Sequence, residues 1–228
     1  TVTSSTSVPR IATDNNNDPY NFVVAYLNTG DSSLRVKPMQ FSSATGAFTM
    51  GSETTIESSS CAGGHHIVYD STNNKFILTY ANTGDNKNIK VKVLTFDGSN
   101  NSLSVGSEVE LSSVSVGDYN FGTVFTTSGK TVIAMKDEDN SNYLTTVIFT
   151  TSGTGGSFSS TQVALSEDVD NVSIGYDDNV NRVGIIFKNG GITDTQTCLI
   201  TALVGASSLT FQSSAATVMG TTRNERTS

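Results

Sequence analysis

Apolar residues along this chain fall into short blocks that return about every 54 residues. The clearest blocks are Phe22-Val-Val-Ala-Tyr26, Phe76-Ile-Leu-Thr-Tyr80, Thr131-Val-Ile-Ala-Met135 and Val183-Gly-Ile-Ile-Phe187, and their last residues lie 54, 55 and 52 positions apart. Their nearly continuous apolar character predicts strands that are buried on both faces, with the aromatic ends in the core. A period of this length indicates one supersecondary unit per repeat, and such units bury their faces by stacking on neighbours.

Each repeat divides into four predicted strands separated by polar turns. First strands are predicted at residues 8–13, 65–69, 122–126 and 172–176, and turns rich in Asp, Asn, Ser and Gly follow them. The apolar blocks are the second strands. Third strands such as Leu34-Arg-Val-Lys37 alternate apolar and basic residues, as is typical of a strand with one buried face. Fourth strands are predicted near Phe48, Leu103, Phe158 and Leu209, each continuing toward Ile56, Leu111, Leu165 and Val218.

This pattern predicts an all-β chain that forms a β-propeller, or a propeller segment, of about four four-stranded antiparallel blades. The repeats span approximately residues 7–60, 61–116, 117–170 and 171–219 of a single domain covering residues 1–228. Residues 220–228 read as a polar tail or a connection to a further repeat. A β-sandwich, tandem sandwiches and other repeat arrays are the alternatives, although a sandwich needs no strict repeat and a β-helix has shorter coils.

Two short motifs keep the phase of the repeat. Asn28-Thr-Gly-Asp31 recurs as Asn82-Thr-Gly-Asp85, and Gly51-Ser-Glu53 recurs as Gly106-Ser-Glu108. The first motif lies in equivalent loops, where repeated amides and carboxylates are suited to sugar hydroxyls, and turn formation alone is the alternative interpretation. The predicted ligand-binding residues in these loops and in the third-repeat loop are Asn28, Asp31, Asn82, Asp85, Asp137 and Asn140.

Composition and charge exclude some classes of partner. The formal net charge of −8 repels phosphate backbones, so we expect no nucleic-acid partner. No apolar run approaches the ~20 residues that a membrane-spanning helix needs, so we expect no transmembrane segment.

Candidate catalytic and metal-binding residues are few. His65 and His66 are adjacent on a predicted strand and so point to opposite faces, which favours a structural role. The acidic loop 137–142 offers oxygen ligands of the kind that calcium prefers, with a solvated turn as the alternative, and no cofactor is otherwise predicted. Cys61 and Cys198 occupy non-equivalent repeat positions, and the sequence leaves their disulfide state open.

No catalytic constellation stands out either. The sequence contains no nucleophile elbow, and its arginines do not cluster at equivalent repeat positions. These observations predict that the protein is not an enzyme. They leave a carbohydrate-binding or carbohydrate-active, glycosidase-like propeller as the alternative function.

Two segments carry a family resemblance. Tyr69-Asp-Ser-Thr-Asn-Asn-Lys-Phe-Ile-Leu-Thr-Tyr80 and Lys136-Asp-Glu-Asp-Asn-Ser-Asn-Tyr143 resemble repeats of tail-fibre and other structural proteins of marine bacteriophages, including cyanophages. The resemblance covers most of the chain in four imperfect copies. The Tyr-Asp pair of the family is replaced by Thr13-Asp14 in the first repeat and by Thr126-Thr127 in the third.

The resemblance implies a non-enzymatic virion structural protein, a tail fibre or surface appendage that takes part in host attachment. It implies a location on the virion surface or outside the cell. The implied partners are other virion subunits, further copies of the chain, and a host cell-surface glycan or protein receptor.

Overall fold

The protein is all-β, as the sequence predicts. A computed structural model describes residues 6–14, 18–58, 61, 64–190 and 196–219, and within these ranges it contains β-strands, one short 3-10 helix and no α-helix. The described residues accordingly include no helix that is long and apolar enough to span a membrane.

The strands form four antiparallel sheets in chain order, which we call units 1 to 4. Unit 1 contains β1 (Thr6–Thr13), β2 (Tyr20–Asn28), β3 (Ser33–Phe41), β4 (Phe48–Met50) and β5 (Thr54–Glu57). Unit 2 contains β6 (His65–Asp70), β7 (Lys75–Ala81), β8 (Asn88–Asp97), β9 (Ser102–Val105) and the first part of β10 (Val109–Phe125). In both units the first three strands pair in sequence order.

Units 3 and 4 repeat this order. Unit 3 contains the second part of β10, β11 (Thr131–Asp137), the 3-10 helix η1 (Glu138–Asn140), β12 (Tyr143–Ser152), β13 (Gly155–Phe158) and the first part of β14 (Gln162–Asp177). Unit 4 contains the second part of β14, β15 (Arg182–Asn189), β16 (Gln196–Val204), β17 (Leu209–Phe211) and β18 (Ala216–Met219).

Two long strands connect consecutive units. Strand β10 pairs with β8 up to Ser115 and with β11 from Val116 onward. Strand β14 pairs with β12 up to Asp168 and with β15 from Val169 onward. Each of these strands is therefore the last strand of one unit and the first strand of the next.

The prediction of one continuous fourth strand per repeat is wrong. In every unit two segments pair with the third strand, and the strand is interrupted between them. At the interruption the backbone N–H of Gly51 donates to the carbonyl of Pro38 at 2.9 Å, and that of Gly106 donates to the carbonyl of Val93 at 2.9 Å. The equivalent bonds in units 3 and 4 run from Ser159 to Ile148 and from Gln212 to Thr201.

In units 1 and 2 glycine is required at this position because the next unit lies directly against it. A Cβ atom on Gly51 would lie 1.8 Å from the carbonyl oxygen of Asn101, in the β8–β9 turn of unit 2. A Cβ atom on Gly106 would lie 1.8 Å from the carbonyl oxygen of Thr154, in the β12–β13 turn of unit 3. The recurring Gly of the Gly-Ser-Glu motif therefore allows two backbones to approach closely.

The core consists of layers between consecutive sheets. One buried cluster joins unit 1 to unit 2, a second joins unit 2 to unit 3, and two more join unit 3 to unit 4. Tyr80 and Phe187, the aromatic ends of two second strands, lie in these layers. These two residues and Tyr26 are at most 1% exposed, which confirms the predicted burial of the aromatic ends. The sheets are therefore stacked face to face.

The two histidines lie where three units meet, on opposite sides of β6 as predicted. His65 is buried, and its Nε2 lies 3.3 Å from the carbonyl oxygen of Ala25 in unit 1. The ring of His66 packs edge-on against Phe121 of unit 3, with 5.1 Å between ring centroids. Burial lowers the pKa of each histidine from 6.5 to about 4, and the nearby Arg10 acts in the same direction.

We predict that Gly106→Ala destabilises the protein by about 1–3 kcal/mol or more, because the added methyl group overlaps the Thr154 carbonyl. Equilibrium urea unfolding measures the change. Gly155→Ala is the matched control, since a Cβ at Gly155 meets nothing within 4 Å. Equal urea midpoints for the two variants would contradict the close approach of Gly106 to the Thr154 carbonyl.

We also predict that the free energy of unfolding decreases as the pH is lowered below 6.5. In that range the histidines of the unfolded chain bind protons, and the buried histidines of the folded chain do not. The unfolded pKa is 6.5 and the folded pKa is about 4, so stability is full above pH 6.5 and is lost towards pH 4. The expected loss is roughly 2 kcal/mol per histidine between pH 7 and pH 5.

Urea unfolding at these two pH values tests the prediction. The variant His66→Phe keeps an aromatic ring against Phe121 and should show about half of the pH dependence. Equal pH dependence in this variant and in the unmodified chain would show that His66 is not responsible.

Candidate functional site

A polar cleft lies at the junction of units 2 and 3. It has a volume of about 470 Å³ and lies between the β7–β8 loop and the 3-10 helix η1. Every residue that lines it is polar or glycine, and these residues are Thr83, Gly84, Asn86, Lys87, Asn88, Ser112, Ser115, Glu138 and Asp139.

Local hydrogen bonds shape the unit 2 wall of the cleft. The carbonyl oxygen of Asn82 accepts from the N–H groups of Asp85 at 3.1 Å and Lys87 at 3.0 Å, while its side-chain oxygen accepts from Gly84 N–H at 2.8 Å. Asn86 and Lys87 both have a positive φ, of 49° and 56°. Two consecutive left-handed residues turn the chain sharply before β8 begins.

The unit 3 wall is the short helix η1. The carboxylate of Asp139 accepts a hydrogen bond from the backbone N–H of Ser115 at 2.9 Å, which fixes the helix against β10. Across the cleft, Lys87 Nζ lies 3.6 Å from a carboxylate oxygen of Glu138, and both side chains are about one-third exposed. The cleft therefore presents a cation and carboxylates together with hydroxyl and amide groups.

The structure brings two of the predicted loops together at this cleft. Asn82 and Asp85 belong to the loop on the unit 2 side, and Asp137 and Asn140 adjoin or belong to η1 on the unit 3 side. None of these four residues lines the cleft; their sequence neighbours do. Asn28 and Asp31 lie in the equivalent loop of unit 1, away from the lining residues. The equivalent loop of unit 4 follows β15 and continues into residues 191–195, outside the described residues.

The predicted ligand residues have roles within their own turns. The side-chain oxygen of Asn28 accepts from Gly30 N–H at 3.0 Å, as that of Asn82 does from Gly84. The carboxylate of Asp31 accepts hydrogen bonds from the backbone N–H and the hydroxyl of Ser33, and these bonds lower the pKa of Asp31. Asp31 also forms an ion pair with Arg35. Their assignment as ligand contacts remains a prediction.

Asp85 and Asp137 also bond within their own unit. Asp85 pairs with Lys90 at 2.6 Å. Asp137 is buried and accepts from the Thr145 hydroxyl at 3.3 Å, and burial raises the pKa of its carboxyl group. Among the residues that the structure describes, no three His, Cys, Asp or Glu side chains are grouped so as to hold a metal ion.

Units 1 and 2 each contain a partly buried polar cluster to which the Gly-Ser-Glu motif contributes its glutamate. The hydroxyl of Tyr80 donates to Glu108, and Lys90 lies 3.2 Å from the same carboxylate. Burial by itself would lower the pKa of Lys90, but its contacts with Asp85 and Glu108 raise it. In unit 1, Tyr26, Glu53 and Arg35 form the same contacts.

Unit 4 lacks this cluster and has a cavity at the equivalent position. The strand register places Cys198, Ser214 and Thr217 where unit 2 has Lys90, Glu108 and Glu110. All three line a cavity of about 360 Å³. The shorter side chains thus leave space that the ionic cluster fills in unit 2.

The two cysteines are free and lie in different core layers. Cys61 belongs to the layer between units 1 and 2, and Cys198 belongs to a layer between units 3 and 4. Burial raises the pKa of the Cys61 thiol to about 12 and raises that of Cys198. Both thiols are therefore protonated at neutral pH.

The fold resembles several solved structures of carbohydrate-related proteins. No protein-family model matches the sequence, and no curated protein matches it. The lectin of Aleuria aurantia in complex with Fucα1-6GlcNAc is similar over 96% of this chain and 64% of the lectin, with 15% identity and a TM-score of 0.53. A GH43 β-1,3-galactosidase is similar over 86% of this chain and 44% of the enzyme, with 9% identity and a TM-score of 0.50.

A third similar structure is an exo-β-1,3-galactanase from Phanerochaete chrysosporium. It matches 89% of this chain and 49% of its own length at 9% identity, with a TM-score of 0.48. The chain thus spans about half the length of these glycosidases and 64% of the lectin. At these identities the likeness is one of fold.

The prediction that the protein is not an enzyme is contradicted by this likeness. That prediction was based on the absence of a nucleophile elbow and of an arginine cluster. A GH43 glycosidase shares the fold, so the repeat architecture is one on which hydrolytic sites are built.

Proposed function

We propose that the protein is a carbohydrate-binding β-propeller, or a segment of one, in which units 1 to 4 are blades. The four sheets stack face to face in chain order. Strand β6 packs against both β1 and β10, and β10 packs against β14, so the first strands of successive units lie side by side. Adjacent first strands are what a propeller places around its central channel.

The polar cleft between units 2 and 3 is the observation that supports sugar binding. Sugar hydroxyl groups both donate and accept hydrogen bonds, and the cleft offers donors on Lys87 and Asn86 and acceptors on Glu138 and Asp139. Its volume of about 470 Å³ is within the range of small-ligand sites. The likeness to a fucose-bound lectin supports the same class of ligand.

The expected affinity of one such cleft is low. Its lining residues carry no aromatic ring on which a sugar could stack, so hydrogen bonds exchanged with water supply most of the binding energy. We expect a Kd on the order of 1 mM for a single site. Several copies acting together would raise the avidity by roughly 10² or more.

We predict that Glu138→Gln weakens glycan binding about tenfold, because it removes a charged acceptor from the cleft. Asn86→Gly should also weaken binding while keeping the left-handed backbone, since Asn86 has a φ of 49°. A glycan array containing fucosylated and β-1,3-galactosyl oligosaccharides identifies a ligand, and NMR titration measures its affinity.

Asn74→Gly is the matched control for Asn86→Gly. Asn74 also has a positive φ, of 54°, but lies in the β6–β7 turn, at the other end of strand β7. Unchanged binding by both cleft variants would exclude the cleft as the site. Release of sugar from an oligosaccharide by the protein, lost in Glu138→Gln, would identify a glycosidase instead.

The virion role and surface location implied by the phage resemblance remain predictions. Mass spectrometry of purified particles from an infected host tests them directly. Absence of the chain from the particles would contradict that role and would leave the proposal of carbohydrate binding intact.

A further inference from the structure

The cavity of unit 4 has the size of a small-ligand site. It lies between the last strand of unit 3 and the sheet of unit 4, and its volume of about 360 Å³ is at the lower end of the range for such sites. Its floor is buried, because Asn189 and Cys198 are 4% and 5% exposed. Its rim contains the exposed residues Ser213, Ser214 and Thr217. A small molecule could therefore enter from solvent and be largely surrounded.

The cavity distinguishes unit 4 from unit 2 because several side chains at this position differ together. In unit 2 the Tyr80 hydroxyl donates to Glu108, and Lys90 pairs with the same carboxylate. In unit 4 the strand register places Phe187 at the position of Tyr80 and Cys198 at the position of Lys90. The hydroxyl, the cation and the carboxylate of the cluster are thus all replaced by groups that do not need one another. The position is therefore open to another molecule.

Polar groups on the wall of the cavity suit a ligand that carries hydroxyl groups. The carboxylate of Glu167 accepts a hydrogen bond from the Asn189 amide, which holds it in place. The side-chain oxygen of Gln196 accepts from the Thr217 hydroxyl at 3.2 Å, and the same amide carries two N–H donors. A hydroxyl group both donates and accepts, so it can bond to the carboxylate and to the amide.

The rest of the lining decides which hydroxylated ligand fits. Leu165, Cys198 and Ala215 line the same cavity and belong to, or pack against, a core layer between units 3 and 4. A sugar ring has apolar C–H groups as well as hydroxyl groups, so a lining of both kinds suits it. Among the described residues that line the cavity, Glu167 alone is charged. An anionic ligand would be repelled by this carboxylate, so a neutral ligand is favoured.

We propose that the cavity between units 3 and 4 is a second binding site and that it holds one ring of a neutral sugar. The site shares no residue with the polar cleft between units 2 and 3. Its buried floor and apolar side can contact the C–H groups of a ring, which the wholly polar cleft cannot. The choice of ligand is made on the lining of the cavity, so the proposal does not depend on binding at the cleft.

Cys198 provides a reporter at the floor of the cavity. Modification by methyl methanethiosulfonate, followed by peptide mass spectrometry, measures the access to this thiol in the unmodified chain. The probes are L-fucose, D-galactose, D-glucose and N-acetyl-D-glucosamine. With a Kd on the order of 1 mM, a bound sugar at about 10 mM should slow the modification of Cys198 about tenfold. Cys61 is the internal control, because it lies in the layer between units 1 and 2 and does not line the cavity.

Two variants locate the bound sugar. Ser214→Glu should abolish the protection, because it places in unit 4 the longer side chain that Glu108 provides in unit 2. Glu167→Gln keeps the shape of the cavity but removes a charged acceptor, so it should weaken binding about tenfold. Ser207→Glu is the matched control, since Ser207 is exposed in the turn at the other end of β16. Circular dichroism checks that each variant keeps its fold.

Three results would each overturn the proposal. The first is an unchanged rate of Cys198 modification with all four sugars. The second is equal slowing at Cys198 and Cys61, which would indicate general stabilisation of the fold. The third is full protection in Ser214→Glu, which would place the sugar elsewhere.

NMR titration with the same sugars gives an independent readout that does not need the thiol to react. The backbone amide signals of Ala215 and Thr217 should shift on binding, and unchanged signals would overturn the proposal. Glu138→Gln, the variant of the polar cleft, should leave the protection of Cys198 unchanged, because Glu138 does not line the cavity. Failure of the cavity as a site and failure of the cleft are therefore distinguishable.

Discussion

The fold depends on covering the apolar face of one sheet with the apolar face of the next. The second strands are apolar on both sides, so a single unit could not keep its core out of water. Face-to-face stacking solves this for every internal face: the layers between units 1 and 2, 2 and 3, and 3 and 4 are continuous buried clusters.

Close stacking also dictates where small residues and polar clusters occur. At Gly51 and Gly106 the hairpin of the next unit comes so near that no side chain fits. Two residues later, Glu53 and Glu108 accept hydrogen bonds from the buried Tyr26 and Tyr80 and pair with a basic residue. The Gly-Ser-Glu motif thus combines a packing requirement with a partly buried ionic cluster. In unit 4, which lacks the motif, a cavity lies at the equivalent position.

The candidate site arises from the same stacking. A loop of unit 2 and the short helix of unit 3 lie on either side of a polar cleft, because the sheets that carry them are adjacent. Neither element alone forms a concave surface. The fold is shared with a lectin and with a GH43 galactosidase, so the chemistry of this protein depends on the groups in its clefts and not on its architecture.

The sequence by itself determined the all-β class, the repeat length and the buried second strands, because strand periodicity and turn residues are local properties. It also determined that His65 and His66 point to opposite sides of a strand. Only the tertiary structure decided that Gly51 and Gly106 must lack a side chain, because the backbone that each approaches belongs to the next unit, about 50 residues away in sequence. The sequence also indicated the two loops that meet at the cleft. The residues that it predicts to bind a ligand there, Asn82, Asp85, Asp137 and Asn140, are not the residues that line the cleft. Turn-forming side chains bond to their own backbone, and which of their neighbours face a cleft depends on how two units pack.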